Sequence, residues 1–233
     1  LNSDNFTFSI NHQKIQFHKV FMMIHGDPGE NGQLCSYFDN LKIPYTSCDK
    51  ETSILTFNKF KCNQMLKKLG FKVPYSQLIG SKNKLKFPCI IKPHCSGSSL
   101  GISKVYSIDD IAQAINYAQT QDNEVMVEEF IEGREFTCGV YNNRDTIETL
   151  PITEIISEND IFDYDAKYNG KSIEETPAKI DKILAEKIHT ISKQVYIKLK
   201  LKSFVRIDFI VNKRTQPYII EINTIPGFSK ESI

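Results

Sequence analysis

The sequence predicts an α/β fold built in two or three lobes, and three observations carry that prediction. Continuous apolar runs, "VFMMIHG" (residues 20–26) and "KFPCIIKP" (residues 86–93), have the length and composition of buried strands. Amphipathic helical stretches alternate with them. Further on, "FVRIDFIVNKRTQPYIIEIN" (residues 204–223) reads as a hairpin, two apolar-rich strands around a charged turn. A length of 233 residues is enough for well-buried cores in each lobe.

The elements follow in order. The run at residues 20–26 ends in Gly26, as a buried parallel strand should. "GQLCSYFDNLKIPYTS" (residues 32–47) then adds an amphipathic helix and a short strand, which makes one α/β step. Residues 57–74 read as helical, with Phe60, Met65, Leu66 and Leu69 apolar, and end at Gly70 and Pro74. "HCSGSSLGISKV" (residues 94–105) is a Gly/Ser loop running into a strand. Ser107 and Asp110 form a capping-box-like start to a helix with Ile108, Ile111, Ala112 and Ile115 on one face. "EVMVEEFIEGREFTCGVYNN" (residues 124–143) reads as strand, tight turn, strand. Residues 157–175, polar and aromatic with no clear period, exceed the usual loop length and read as a lid. Thr176 and Pro177 open a long helix with the stripe Ile180, Ile183, Leu184, Ile188, Ile191 and Val195.

Composition excludes several classes. The chain is 40% hydrophobic and 24% charged with a net charge of +1, so no basic field marks a nucleic-acid partner. No apolar run approaches the ~20 residues of a membrane span. None of the six cysteines forms a C-x-x-C pair, and they read as reduced, partly buried thiols of a cytoplasmic protein. His94 and Cys95 are adjacent, and as strand neighbours they would point apart and make a poor metal pair. The sequence begins at Leu1 in mid-pattern and stops soon after Phe228, so it reads as a trimmed or partly ordered chain.

The chemistry-bearing residues centre on the hairpin. Glu221 and Asn223, two apart on a strand, share a face, and a turn built on Pro226 and Gly227 follows. If the hairpin turns at residues 213–216, Asp208 joins them. Three hard oxygen donors suit Mg²⁺, which also needs waters and phosphates; the alternative is a polar strand face in solvent. Arg206 shares a face with Asp208 and either holds a phosphate or oxyanion or pairs with Asp208 or Glu221. Lys92 ends a strand just before the Gly/Ser loop, where a lysine can lie along nucleotide phosphates, although "GSSLG" alone is more often a turn. Glu128 and Glu135 flank a short linker whose backbone at Phe130 and Ile131 could meet an adenine edge; a solvated acidic patch is the alternative. His25 precedes "GDPGENG", a Gly-rich turn suited to small anions, where a lone histidine is more often structural.

Taken in order, a strand lysine, a Gly/Ser loop, a glutamate pair, a lid, Arg-x-Asp and Glu-x-Asn resemble the ATP-grasp ligases, and within them the D-alanine–D-alanine ligase family. The segments "HGDPGENG", "IPYTS", "NKFKCNQML", "IIKPHCSGSSLGISKV", "VEEFIEGREF", "FDYDAKY", "TPA", "RIDF" and "EINTIPGFSKES" carry the resemblance, from His25 to Ser232. It implies an ATP-grasp fold of three lobes: residues 1–55 a remnant of a doubly wound N-terminal substrate-binding lobe, 56–133 the central lobe, and 134–233 the C-terminal lobe with lid and metal site. Nucleotide would lie between the last two.

The implied reaction joins two D-alanine molecules with ATP through an acyl phosphate, for peptidoglycan, with two Mg²⁺ ions for which Mn²⁺ could substitute. The implied protein is a cytoplasmic homodimer with small-molecule substrates and no nucleic-acid or membrane partner. By resemblance, Lys59 and Lys92 contact phosphates, Lys167 reaches the γ-phosphate as the lid closes, and Glu128 accepts from the adenine amine beside Phe130 and Ile131. Glu135 holds the ribose, and Asp208, Glu221 and Asn223 hold the metal. Arg206 and the Gly227 N–H face the oxyanion, Ser232 holds the second substrate's carboxylate, and His25 joins the substrate site. Ser98 and Tyr168 look like two of a trio that docks the lid.

The trio's third member, a glutamate of the N-terminal strand–loop, is absent from this sequence, and the stretch between Lys59 and Lys92 is short for the family. Asn58 and Cys62 stand where the family usually has Asp and Thr. Alternative readings are a D-alanine–D-lactate or D-serine ligase, another ATP-grasp carboxylate–amine ligase, or a nucleotide-binding module without catalysis.

Overall fold

The computed structural model describes residues 2–81, 86–97, 100–157 and 172–227. The chain opens with a hairpin of β1 (Thr7–Ile10) and β2 (Gln13–Gln16). Asn11 and His12 turn it with φ of 49° and 63°, the left-handed pair that a two-residue hairpin turn requires. Next, β3 (Val20–Phe21) pairs in parallel with β4 (Tyr45–Thr46), and α1 (Gln33–Leu41) connects them. Only Val20 and Phe21 of the apolar run at residues 20–26 form strand. Phe21, Met23 and Ile24 are 58%, 45% and 49% exposed, because β4 is the one strand beside it among the described residues. Met22 is buried and joins Cys35, Phe38, Ile43 and Ile225 in a small apolar cluster.

A helix that the sequence reading did not include precedes the one expected within residues 57–74. Asp49 accepts from the Thr52 N–H at 3.0 Å and caps α2 (Lys50–Phe57). Asn58 then leaves helical geometry and accepts from the Lys61 N–H at 2.9 Å, which starts α3 (Lys59–Lys68). The asparagine thus supplies the cap that an aspartate would, and the break fixes Lys59 in the first turn of α3.

A four-stranded antiparallel sheet follows, in the order β5 (Ser76–Leu78), β8 (Val125–Glu129), β6 (Cys89–Pro93), β7 (Ser103–Val105). One face packs on α4 (Ile111–Gln119) through Cys89, Ile91, Val105, Ala114, Ala118, Val125 and Val127. The buried stripe of α4 is Ala114 and Ala118, with Ile111 and Ile115 at its margins. Ile108 precedes the helix and is 73% exposed, and Ala112 faces outward.

The second sheet has the order β12 (Ser172–Glu175), β11 (Thr153–Ser157), β9 (Gly133–Asn143), β13 (Phe204–Asn212), β14 (Pro217–Asn223), with β10 (Thr146–Thr149) folded back on β9. Its core includes Phe136, Cys138, Val140, Ile207, Phe209, Ile219 and Ile222, with Leu184, Ile188 and Val195 from α5 (Lys182–Lys198) and Cys62 and Leu66 from α3. The helix starts later than Thr176 because Asp181 caps it, accepting from the Leu184 N–H at 2.9 Å. Leu184, Ile188, Ile191 and Val195 then share a face by helical spacing. Ile183, one residue out of phase, is 80% exposed. Strands β8 and β9 are consecutive yet belong to different sheets, so residues 130–132 carry the chain from one to the other. Among the described residues no helix is long and apolar enough to cross a membrane.

Candidate active site

The hairpin turns at residues 213–216, and its register places Asp208 opposite Glu221 and Arg206 opposite Asn223. A bulge at Ile220, between the pairs Asp208–Glu221 and Phe209–Ile219, bends β14 beside this group. Asp208 is buried and well supplied with donors. Arg206 grips it in a fork, Nε to Oδ1 at 2.8 Å and Nη2 to Oδ2 at 2.9 Å. Thr137 Oγ1 donates to Oδ1 at 2.8 Å, and Asn223 Nδ2 donates to Oδ2 at 2.9 Å. The Asn223 amide therefore offers its own Oδ1 as the remaining acceptor. Arg206 makes the salt bridge that was one of its two sequence readings, and the same fork holds its guanidinium over the hairpin's end.

Glu221 pairs with Lys59, Oε1 to Nζ at 2.9 Å. Burial alone would raise its carboxyl, but Lys59, then Lys92 and Arg206, outweigh burial and hold it at about 2. Solvent reaches 32% of the Glu221 side chain, which softens these attractions. Lys59 is itself buried. Its backbone N–H donates to His94 O at 2.8 Å and its Nζ donates to Ser96 O, so α3 holds the root of the Gly/Ser loop.

Lys92 projects from β6 onto Glu128 of β8, Nζ to Oε1 at 2.7 Å, as diagonal neighbours on one sheet face. The second Glu128 oxygen accepts from Asn63 Nδ2 at 2.9 Å. Asn63 lies four residues after Lys59 on α3, so both face the same site. Glu135, half-buried on β9, is pushed up to about 8, first by burial and then by the charge of Asp208, with Glu221 adding and Arg206 and Lys92 opposing. The three carboxyl groups form a cluster whose third member, Glu135, is driven toward its neutral form by burial and by its neighbours' charge. Its donors are all oxygens, so the residues fit a hard divalent ion such as Mg²⁺.

A third segment completes the group. His25 Nδ1 lies 2.9 Å from both Ile225 O and Glu30 Oε2. The buried Glu30 accepts from the N–H groups of Gly26 and Ile225, each at 2.8 Å. Gly29 has no room for a side chain, since a Cβ there would stand 1.7 Å from Ile24 O. At Gly97 a Cβ would meet Gly26 Cα at 3.6 Å, so the Gly/Ser loop lies against this turn. The turn through Pro226 and Gly227 leaves from the same place.

The family model described as D-ala D-ala ligase C-terminus matches residues 61–233. The chain is 42% identical to a D-alanine–D-alanine ligase of Phocaeicola vulgatus, over all of this chain and 74% of that one. It is 43% identical to a D-alanine–D-alanine ligase of Flavobacterium johnsoniae, over all of this chain and 75% of that one. The chain belongs to the D-alanine–D-alanine ligase family. Solved ligases agree in fold. The VanG D-Ala:D-Ser ligase of Enterococcus faecalis superposes with a TM-score of 0.83 at 32% identity, over 95% of this chain and 68% of that one. D-alanyl-alanine synthetase A of Vibrio cholerae also gives 0.83, at 27% identity, over 100% of this chain and 74% of that one. The ATP-grasp architecture expected from the sequence is therefore the one found.

Within this family fold, Lys59 with Glu221, Lys92 with Glu128, and Arg206 and Asn223 with Asp208 form three bonded sets, which act on one another and on Glu135 through their charges. Phe130 and Ile131 lie in the connector between the sheets, outside both ladders, with Lys104 Nζ 3.9 Å from the Phe130 ring centroid. His25 meets the hairpin's exit through Ile225. Ser98, Lys167, Tyr168 and Ser232 lie outside the described residues. Sequence reasoning passed over Glu30, Asn63 and Thr137. Helical spacing from Lys59 could have found Asn63. Glu30 bonds a residue 195 positions away, which no local pattern signals.

Proposed function

We propose that this protein ligates two D-alanine molecules to D-alanyl-D-alanine at the expense of ATP, for peptidoglycan synthesis in the cytoplasm, and that it works as a homodimer. The observation that carries the reading is the placement of Asp208 and Glu221 opposite one another in the hairpin, with Arg206 and Lys59 bonded to them.

In this reading residues 1–55, 56–133 and 134–233 act as three lobes, with nucleotide between the second and third. Lys92 and Lys59 lie along the phosphates. Glu128, steadied by Lys92 and Asn63, accepts from the adenine amine, and the connector backbone at Phe130 and Ile131 meets the ring edge. Glu135 takes a ribose hydroxyl; its carboxyl, raised by burial and by Asp208, is suited to hydrogen bonding without adding a full charge. Asp208, Glu221 and the Asn223 amide would hold two Mg²⁺ ions, or Mn²⁺ in their place. Such ions supply charge neutralisation and orientation of the β- and γ-phosphates.

The first D-alanine carboxylate takes the γ-phosphoryl group, ADP leaves, and the second amine attacks the acyl phosphate with loss of phosphate. Arg206, fixed by its fork on Asp208, and the Gly227 N–H face the oxyanion of that attack. His25, held by Glu30 and Ile225 O, stands at the mouth of the substrate site. Ser98, Tyr168 and Lys167 close the lid, and Ser232 holds the second carboxylate. The test is phosphate release with ATP and D-alanine, against L-alanine, D-serine and D-lactate.

A second reading, ligation of D-alanine to D-serine, rests on the likeness to VanG at 32% identity. Tyr168 argues against the depsipeptide that D-lactate would give, since depsipeptide ligases usually depart there, and leaves D-serine and D-alanine to be separated by product. Product identity from D-alanine alone and from D-alanine with D-serine separates the two.

A further inference from the structure

Beyond the hairpin, a second group of metal-grade donors lies at the root of the Gly/Ser loop. The sequence suggested that His94 and Cys95 would point apart as strand neighbours. They lie instead in the bend that follows β6, and the bend turns both toward Asp122, ahead of β8. A ring nitrogen of His94, the Cys95 sulfur and an Asp122 carboxylate oxygen all lie within 4.8 Å of one another. We propose that His94, Cys95 and Asp122 bind a borderline-soft divalent ion, Zn²⁺ by chemistry, at a site separate from the oxygen-donor site of Asp208, Glu221 and Asn223.

The surroundings of the imidazole argue for a cation. Nδ1 faces Asp122 Oδ2 at 2.8 Å and Glu124 O at 3.2 Å, while Nε2 faces Glu124 Oε2 at 3.1 Å. Every one of these neighbours is an acceptor. A neutral imidazole carries one N–H, so one of its lone pairs would confront a carboxylate. A second proton would satisfy the ring alone, whereas a bound cation engages the nearby Cys95 sulfur as well. A metal ion uses all three atoms. Nε2–H then donates to Glu124, the outer-shell carboxylate that commonly orients a metal-binding histidine.

The donor set selects the ion. One imidazole nitrogen, one thiolate and one carboxylate suit Zn²⁺ and disfavour Mg²⁺. Bonds of about 2.0–2.3 Å imply donor separations of roughly 3.3–3.8 Å around a tetrahedral ion, so the widest pair closes by about 1 Å at most while Nδ1 and Asp122 Oδ2, now 2.8 Å apart, open by about 0.5 Å. On binding, Cys95 gives its thiol proton to solvent and Nδ1 gives up any proton it holds. The fourth position falls to water or to the Glu124 carboxylate, 67% exposed and able to swing. Lys59 and Lys61 act on Cys95 with positive charge and oppose the ion; Asp122 and Glu124 act with negative charge and favour it. The backbone is already set, since Asp122 Oδ2 accepts from the Cys95 N–H at 2.8 Å and His94 N donates to Glu124 O at 3.3 Å. His94 and Ser96 also receive the two Lys59 bonds, so a bound ion would tie the loop's root to the segment before β8.

The probe is Co²⁺, added in excess Mg²⁺ to chelator-stripped natural protein, with Zn²⁺ as competitor. The expected result is one ion per chain, with the visible bands of tetrahedral Co²⁺ and a near-ultraviolet thiolate charge-transfer band, all removed by Zn²⁺. The charge-transfer band should vanish in Cys95→Ser, binding should weaken at least tenfold in Asp122→Asn and in His94→Gln, and the spectrum should persist in Glu221→Ala. Melting curves identify any variant that fails to fold, and the other two then decide. Absence of the thiolate band, or a band unchanged in all three variants, would overturn the proposal, as would binding lost only in Glu221→Ala.

Discussion

Lys59 Nζ stands 2.9 Å from Glu221 Oε1, and through that pair the first turn of α3 is tied to the end of the β13–β14 hairpin. The same lysine holds the carbonyls of His94 and Ser96. One side chain therefore links the Gly/Ser loop to the proposed metal ligands, and its loss should be felt at both.

Lys59→Met keeps the length of the side chain and removes its charge. Glu221 loses its nearest cation, and Ser96 O loses a donor. The expected cost is about 1–3 kcal/mol of stability, because a partly buried charged group is left short of a partner. The KM for ATP should rise at least tenfold. Urea denaturation and nucleotide saturation curves check both; a variant with unchanged KM would remove Lys59 from the site.

Asn63 has no expected contact with substrate, but it fills one of the two Glu128 oxygens at 2.9 Å. In Asn63→Leu that oxygen is left facing an apolar side chain, at about 1–3 kcal/mol. If Glu128 reads the adenine amine, the KM for ATP should rise about tenfold while kcat at saturating ATP stays near its starting value. A fall confined to kcat would contradict the role given to Glu128.

Asp49 tests local structure apart from chemistry. It caps α2 through the Thr52 N–H and pairs with Lys202 at 3.0 Å. Burial raises its carboxyl, but Thr52 and Lys202 outweigh burial and leave it below the usual value. The folded pKa is thus lower than the unfolded one, so the contribution is present above about pH 4 and disappears as pH falls through the folded value. Asp49→Ala should cost about 1 kcal/mol at pH 7 and progressively less as pH falls below about 4, by denaturant titration across that range. Equal losses throughout would show that the cap does not depend on the charge.

What could be read from the sequence followed from local periodicity. The turn at residues 213–216 was visible in the residue pattern, but its register alone would set Asp208 opposite Ile220, and the bulge at Ile220 is what brings Glu221 and Asn223 to the Asp208 face. That bulge was not legible, since nothing in "YIIEIN" marks Ile220 as the extra residue. The strand expected over residues 20–26 shrank to Val20–Phe21 because burial depends on neighbouring strands rather than on the run itself. Ile183 looked like part of the α5 stripe, but it lies inside the helix one residue out of phase with Leu184, Ile188 and Val195 and faces outward. His94 and Cys95 looked incompatible only while both were assigned to a strand. Glu30 was out of reach because its partner is Ile225, and contacts across the fold leave no trace in spacing.

The central claim, D-alanine ligation at the hairpin site, is tested most directly by phosphate release in the natural protein and in Glu221→Ala, with ATP, Mg²⁺ and D-alanine. The account predicts release that requires D-alanine and Mg²⁺, accompanies D-alanyl-D-alanine, and falls at least a thousandfold in Glu221→Ala while the melting curve stays cooperative. Mg²⁺-dependent dipeptide synthesis at an undiminished rate in Glu221→Ala, or no D-alanine-dependent release from the natural protein, would contradict it.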